Sequence, residues 1–127
     1  MLSAEEIAAA KKRTKYGTKD RHHEHDDCIR IAYEWLDAQP KTKGAVRASR
    51  PLKHHIEKWG GRYVSQNDVE VAAQLHPDVR GEYPFYNVSR LLILPSDARL
   101  AGISQAKTQN YAMSDRHVRE VYGSRSE

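Results

Sequence analysis

Apolar residues recur at helical spacing along most of this 127-residue chain, most clearly between residues 21 and 39. In that stretch the apolar positions repeat every three or four residues, which places them on one side of an α-helix. Asp20 can cap the start of this helix, and Pro40 ends it. The pattern predicts a helix over residues 21 to 39 whose buried stripe is His25, Cys28, Ile29, Ile31, Ala32, Trp35 and Leu36.

Capping residues and shorter apolar periods predict further helices on either side. Ser3 and Glu6 form a capping box for a first helix that ends near Lys15. Because the apolar side of this helix is mostly alanine, we expect residues 1–19 to be only partly ordered on their own. The other helices are predicted after Ser49, after Ser65, within residues 96–106 and after Ser114, and residues 124–127 are expected to be disordered.

The apolar run from Val88 to Leu94 has two interpretations. Asn87 can cap a short helix that ends at Leu92, or the run forms a buried strand, because periodicity does not separate the two in so short a run. We adopt the helix. The chain is then a mainly α, small single domain over residues 1–127, with five to six helices and room for a short two-stranded element.

Several simple features bound the environment of the chain. Cys28 is the only cysteine, so no intramolecular disulfide can form and a reducing compartment fits. The first six residues include two glutamates and no basic residue, and no apolar stretch follows them, so no export signal is visible. The longest aliphatic run, Leu91–Leu94, is far too short to span a bilayer. We expect a cytoplasmic protein without a membrane partner.

Positive charge is concentrated in one part of the chain. The formal net charge is +4, but residues 41–62 hold seven basic side chains against Glu57, a net of +6, whereas residues 22–39 carry a net of −4. Rings such as His54 and Trp59 interrupt the basic stretch, a mixture that suits phosphate contacts and base stacking. The pattern predicts a nucleic-acid partner, with DNA as the main expectation and RNA as the alternative.

Residues 51–94 resemble the helix-turn-helix and winged-helix DNA-binding domains. They read as a helix, a short extended piece, an alanine-rich helix, a turn, and a candidate recognition helix near Asn87. The resemblance implies that this last helix enters the major groove while nearby basic residues hold phosphates. The link from Leu75 to Asn87 is longer than the tight turn of that family. The implied base contacts are Asn87, Ser89 and Arg90, and the implied phosphate contacts are Lys41, Lys43, Arg47, Arg50, Lys53 and Arg62.

The same apolar residues would also form an ordinary helical core without any nucleic-acid role. A second functional hypothesis therefore rests on the loop that carries Tyr83, Phe85 and Tyr86. Aromatic side chains contribute much of the binding energy in protein interfaces. The aromatic residues of this loop predict a protein-interaction module: an adaptor, an inhibitor or a homodimer.

A third hypothesis is a metal-dependent enzyme. On a helix, His22, His25 and Asp26 would lie on one side at spacings that suit metal ligands. The alternative without a metal is a polar helix start, in which the acidic side chains interact favourably with the positive N-terminal end of the helix dipole.

Motifs of well-known catalytic chemistry do not occur in the sequence. It contains no G-x-S-x-G nucleophile motif and no Walker or dinucleotide-binding glycine motif. Cys28 lies within an apolar helical stripe, where a thiol is usually packed and unreactive. We therefore predict no catalytic residue and no cofactor. The main hypothesis is a non-enzymatic nucleic-acid-binding protein, specifically a small DNA-binding regulator.

Overall fold

The computed structural model describes residues 1–44, 46, 48–111 and 113–127. Extended pairing among these residues is limited to two isolated bridges, Lys41 with Val88 and Leu94 with Ser126. The prediction of a mainly α, small single domain is confirmed. No helix in the described part of the chain is long and apolar enough to cross a membrane. The α-helices are α1 (Ala4–Arg13), α2 (Asp26–Ala38), α3 (Leu52–Gly60), α4 (Gln66–Leu75) and α5 (Asp115–Tyr122), and a short 3-10 helix spans Asp97–Leu100.

Helices α2 and α4 form the centre of the molecule and make its most extensive helix–helix contact. The predicted apolar stripe of α2 points inward, and Trp35 and Leu36 are fully buried. Helix α4 is buried on nearly all sides, because α1 and α2 pack on it and the chain before α2 runs along its N-terminus. Gly60 lets α3 approach α2, since a Cβ at this position would lie 2.5 Å from Cγ2 of Ile31.

Local sequence signals determine where two helices begin. The capping boxes of Ser3 with Glu6 and of Ser65 with Asp68 are both formed, so each pair satisfies backbone N–H groups that the helix leaves without partners. The predicted cap at Ser49 is not used. Helix α3 begins at Leu52 after Pro51, with no side-chain cap.

Helix α2 begins later than predicted. Its first residue is Asp26, and its N-cap is His25, whose Nδ1 accepts a hydrogen bond from the backbone N–H of Asp27. The residues before it lie along α4 instead, where the backbone N–H of His22 donates to Oδ1 of Asn67 and the carbonyl of His22 accepts from Oγ of Ser65. A helix from residue 21 would lose these long-range hydrogen bonds, so the prediction of residues 21–39 is corrected at its N-terminal end.

The predicted helix at residues 87–92 is wrong. The backbone of this segment pairs with the chain after α2: the N–H of Ser89 donates to the carbonyl of Pro40, and the amide side chain of Gln39 bonds both the N–H and the carbonyl of Ile93. These partners replace the hydrogen bonds that a helix would make within itself. The segment is not a regular strand either, because Val88 forms only a single bridge, with Lys41.

The last four residues, which we call the C-terminal strap (residues 124–127), are attached to the domain rather than disordered as predicted. Ser126 bridges to Leu94, and the carboxylate of Glu127 accepts hydrogen bonds from the guanidinium of Arg99 and from the backbone N–H of Ser96. Arg99 in turn reaches Glu34 and Asp37 on α2. The polar composition of the strap gave no sign of this attachment, because its partners lie about thirty residues or more away in the sequence.

Candidate functional site

The residues that the sequence suggested for base contacts do not form a reading surface. Asn87 is buried, and it joins three segments of chain: its Oδ1 accepts from the N–H of Arg80, and its Nδ2 donates to the carbonyls of Thr42 and Asp78. Ser89 is half-buried, and its Oγ accepts from the N–H of Leu91. Of the three predicted base contacts, only Arg90 is exposed. Asn87 is therefore a structural residue.

Two arginines predicted to hold phosphates are committed to the fold. Arg62 is buried and donates hydrogen bonds to Gln105, to Glu24 and to the carbonyl of Tyr63. Arg50 donates from its terminal nitrogens to the carbonyls of residues 86, 88 and 89, and its Nε is buried without a partner. Burial lowers the pKa of Arg50, and the nearby charge of Arg90 lowers it further. Both guanidinium groups are therefore engaged in hydrogen bonds within the fold.

The lysines predicted to contact phosphates differ in whether other residues of the fold already bind them. Lys41 donates from Nζ to the carbonyl of Asp37, where it caps the C-terminal turn of α2, and burial lowers its pKa. Lys53 pairs with Glu57 at 3.2 Å and lies over the ring of Tyr63. Lys43 is exposed and, like Arg90, forms no ion pair with another described residue. Arg47 lies outside the described residues.

The three candidate metal ligands are not brought together. His22 pairs with Glu24 at 2.6 Å, His25 caps α2, and Asp26 pairs with Lys11 at 2.9 Å. Across residues 1–44, 46, 48–111 and 113–127, no group of three or more His, Cys, Asp or Glu side chains is placed to hold a metal ion. Burial also raises the pKa of the Cys28 thiol to about 12, so this cysteine is not a thiolate near neutral pH.

The predicted aromatic loop borders a concave site of the molecule. Phe85 is 39% exposed, whereas Tyr86 is buried and Tyr83 is half-buried with its ring edge-on to that of Tyr86. The two tyrosines form one wall of a cavity of about 380 Å³ that α4 and the chain after α1 complete. We call it the aromatic groove; it is lined by Thr14, Lys15, Tyr16, Gly17, Glu70, Ala73, Gln74, Val79, Gly81, Glu82, Tyr83 and Tyr86.

A buried carboxylate gives the groove its charge. Glu70 is 6% exposed; its Oε2 accepts from the N–H of Gly17 at 2.7 Å, and its Oε1 accepts from Nδ2 of Asn67 at 2.9 Å. Burial raises the pKa values of Tyr83 and Tyr86, and the negative charge of Glu70 raises them further. Both phenols are therefore neutral near pH 7. Neither hydroxyl makes a hydrogen bond with another described residue, so both can bind a ligand.

Tyr16, on the opposite wall, is held by a chain of hydrogen bonds. Its hydroxyl lies 2.9 Å from Nε2 of His23 and donates to the carbonyl of Lys11, while Nδ1 of His23 lies 2.8 Å from Oδ1 of the fully buried Asp68. This chain fixes the ring at the edge of the groove. The guanidinium of Arg21 lies 4.7 Å from the centre of the Tyr16 ring, so the protein itself already places a cation against a tyrosine face at this position.

Sequence reasoning found the aromatic loop but missed Tyr16 and Glu70. One signal for Glu70 was present, since this glutamate interrupts the apolar run of α4 and therefore had to be either exposed or paired. Nothing local marked Tyr16, because the hydrogen bonds that hold it run through His23, seven residues on in the same loop, to Asp68 on α4.

A second hollow of about 340 Å³ lies beside the C-terminus of α3. Its polar groups are largely used within the fold: Lys107 pairs with Asp97 at 3.5 Å, and Oε1 of Gln109 accepts from the N–H of Tyr63. The aromatic groove is therefore the better candidate for a binding site.

Comparison of the chain with protein-family models, with curated proteins and with solved structures found no match.

Proposed function

We propose that the chain is a protein-interaction module whose aromatic groove receives a lysine or arginine side chain of a partner protein, in the cytoplasm. The observation that carries the proposal is the buried Glu70, which lines the same cavity as Tyr16, Tyr83 and Tyr86. Aromatic faces and carboxylates both attract cations, and the attraction increases where water is excluded. The cavity volume lies within the range of ordinary ligand sites.

The charges of the groove support a cationic occupant. Glu70 and Glu82 line the cavity against one cation, Lys15, which is exposed. The negative charge is therefore on the inside of the site, although the whole chain is basic. An acidic partner would meet Glu70 and would be repelled.

A matched pair of blocked peptides tests this proposal. One carries a single arginine and the other carries citrulline, which has nearly the same shape without the charge. We expect the arginine peptide to shift the amide resonances of residues lining the groove in a saturable manner, and the citrulline peptide to bind about tenfold or more weakly, the loss of one charge-assisted contact. Equal binding of the two peptides, or shifts located elsewhere on the molecule, would contradict the proposal.

Two variants locate the effect. Glu70→Gln keeps an oxygen that can accept from Gly17 but removes the charge, so it should abolish the preference for arginine over citrulline. Glu120→Gln removes a carboxylate from exposed α5, away from the groove, and should leave the preference unchanged. A preference that survives in Glu70→Gln would show that this carboxylate is not the recognition element.

Nucleic-acid binding is a second candidate, favoured by one observation. Lys43 and Arg90 are exposed and form no ion pair with a described residue, and they lie on two segments that the Lys41–Val88 bridge holds side by side. Such cations attract phosphate without reading sequence. With two of them, the log–log dependence of affinity for duplex DNA on salt should have a slope near about −2, and Lys43→Ala or Arg90→Ala should each flatten it by about one. Lys12→Ala is the control variant. An affinity for duplex DNA that does not change with salt in the parent protein would remove this candidate. The same titration with single-stranded RNA shows which of the two nucleic acids the chain prefers.

A further inference from the structure

Three histidines meet where α5 packs against α3. The ring centres of His54 and His55 lie 6.1 Å apart, and the ring of His117, on α5, lies 6.1 Å from the first and 5.6 Å from the second. We call this cluster the histidine seam. His55 also stacks on Trp35 of α2, and His117 lies edge-on to Tyr122. The seam therefore joins α5 to the core.

No described carboxylate forms an ion pair with the seam. Nδ1 of His55 and Nε2 of His117 are buried without hydrogen-bond partners. The other charges that act on the seam are mainly positive: Arg50 acts on His55 and Lys58 on His117, and only Glu120 opposes them. Burial and these neighbours lower the pKa of His55 to about 4 and also lower the pKa of His117. The packed arrangement of His55 and His117 thus favours neutral imidazoles, whereas free imidazoles take up protons in mildly acidic solution.

Besides the seam, helix α5 is attached through Tyr122 and through Val118 and Val121, which are half-buried against the hydrophobic core. Tyr122 is buried and accepts a hydrogen bond from Nε1 of Trp35 at 2.9 Å, while most of the remaining residues of α5 are exposed or half-buried. Gly123 follows with φ +60°, a conformation that glycine adopts without strain, and it marks the joint between the helix and the strap. Beyond this joint the strap is held separately, because Arg99 lowers the pKa of Glu127 and keeps that carboxylate ionised in mild acid.

We propose that the histidine seam is an acid-sensitive latch: protonation of His55 and His117 releases α5 from α3 while the strap and the α2–α4 centre stay in place. Two like charges 5.6 Å apart, together with Arg50 and Lys58, repel one another once these rings are charged. In the closed arrangement Glu120 is a counter-charge, but its carboxylate pairs with Arg116 and forms no ion pair with either ring. Opening at Gly123 lets solvent reach the rings and exposes Nε1 of Trp35, which donates to the hydroxyl of Tyr122 in the closed arrangement.

Amide hydrogen exchange on the whole chain tests the latch, with rates corrected for their intrinsic pH dependence. Between about pH 7 and about pH 5, which brackets the ordinary histidine titration, protection of residues 115–122 should fall by about tenfold or more. Protection in α2 and α4 should stay nearly constant. Loss of protection in all helices together, or no loss in α5, would overturn the proposal.

Three variants make the test specific to the seam. His54→Gln/His55→Gln/His117→Gln removes the titrating rings and should abolish the acid-induced loss of protection, whereas His22→Gln/His25→Gln, at the other end of the chain, should retain it. If the triple variant does not fold, Lys58→Glu supplies the alternative, because a carboxylate beside His117 should stabilise the protonated seam and reduce the release. Release that is unchanged in Lys58→Glu would show that seam charge does not control α5.

Discussion

Histidines occupy two opposite environments in this molecule. His23 and His76 lie on the α2–α4 side, and each is bonded to a carboxylate, Asp68 at 2.8 Å and Asp37 at 2.8 Å. The seam histidines lie on the α3–α5 side, where two ring nitrogens are buried without partners and the nearest charges are mainly basic. A buried imidazole with matched partners adds to stability, whereas one without partners costs desolvation energy and becomes sensitive to pH.

The hydrogen bonds on the α2–α4 side also fix the protonation of its rings. Nδ1 of His76 accepts from the N–H of Asp78, so its Nε2 carries the proton and donates to Asp37. His76 is therefore complete as a neutral ring. For His23, both ring nitrogens have a hydrogen-bond partner, Tyr16 at Nε2 and Asp68 at Nδ1. The seam has no comparable set of bonds.

The largest effect is expected from removing the carboxylate at the centre of the paired side. Asp68→Ala deletes the partner of His23 together with the capping box of α4, and it leaves buried N–H groups without acceptors. We expect the free energy of unfolding, measured by urea denaturation, to fall by about 3–5 kcal/mol. A loss below about 1 kcal/mol would show that the paired side is no more tightly held than the seam.

A pair of matched substitutions compares the two environments directly. His76→Leu leaves Asp37 and the N–H of Asp78 without their bonds and should reduce the free energy of unfolding at neutral pH by about 1–3 kcal/mol. His55→Leu removes a partly buried ring that has one unsatisfied nitrogen, and it should change stability by less than about 0.5 kcal/mol or increase it. Equal losses of the free energy of unfolding in both variants would show that the two histidine environments do not differ in their contribution to stability.

The pH dependence of stability sharpens the same comparison. Because the folded pKa of His55 lies near 4, below its ordinary value of 6.5, the unfolded chain binds more protons between these limits. Stability should therefore be complete above about pH 6.5 and fall as the pH drops towards 4, by about 1–2 kcal/mol after allowance for the partial exposure of the ring. His55→Gln/His117→Gln should flatten this slope in urea titrations, and an unchanged slope would place its origin elsewhere.

The smallest effect concerns the strap that lies beside the seam. Glu127→Gln removes a carboxylate from Arg99, which still reaches Glu34 and Asp37, so the loss should be about 0.5–1 kcal/mol, read from the urea midpoint. Arg116→Gln, in an exposed pair on α5, is the control and should have almost no effect. A loss above about 2 kcal/mol would mean that the strap is part of the main cooperative unit.

Part of the candidate site could be predicted from the sequence. Aromatic composition pointed to the loop of Tyr83, Phe85 and Tyr86, and two of these three residues line the groove. The charge count pointed to residues 41–62, but it could not separate exposed Lys43 from Arg50 and Arg62, whose guanidinium groups are used to hold backbone carbonyls and buried side chains. The number of charged residues in a segment gives no information on which of their side chains are already paired in the fold.

The sequence by itself determined the helical class, the inward stripe of α2 and the starts of α1 and α4, because these depend on side chains within a few residues of one another. Only the tertiary structure decided that residues 18–24 lie along α4, that Asn87 joins three segments, and that two sets of histidines differ in charge environment. Each of these outcomes depends on hydrogen bonds or packing between residues that are mostly tens of positions apart, such as His22 with Asn67 and His55 with His117. Local periodicity and capping signals extend over one or two helical turns, so they carry no information about such partners.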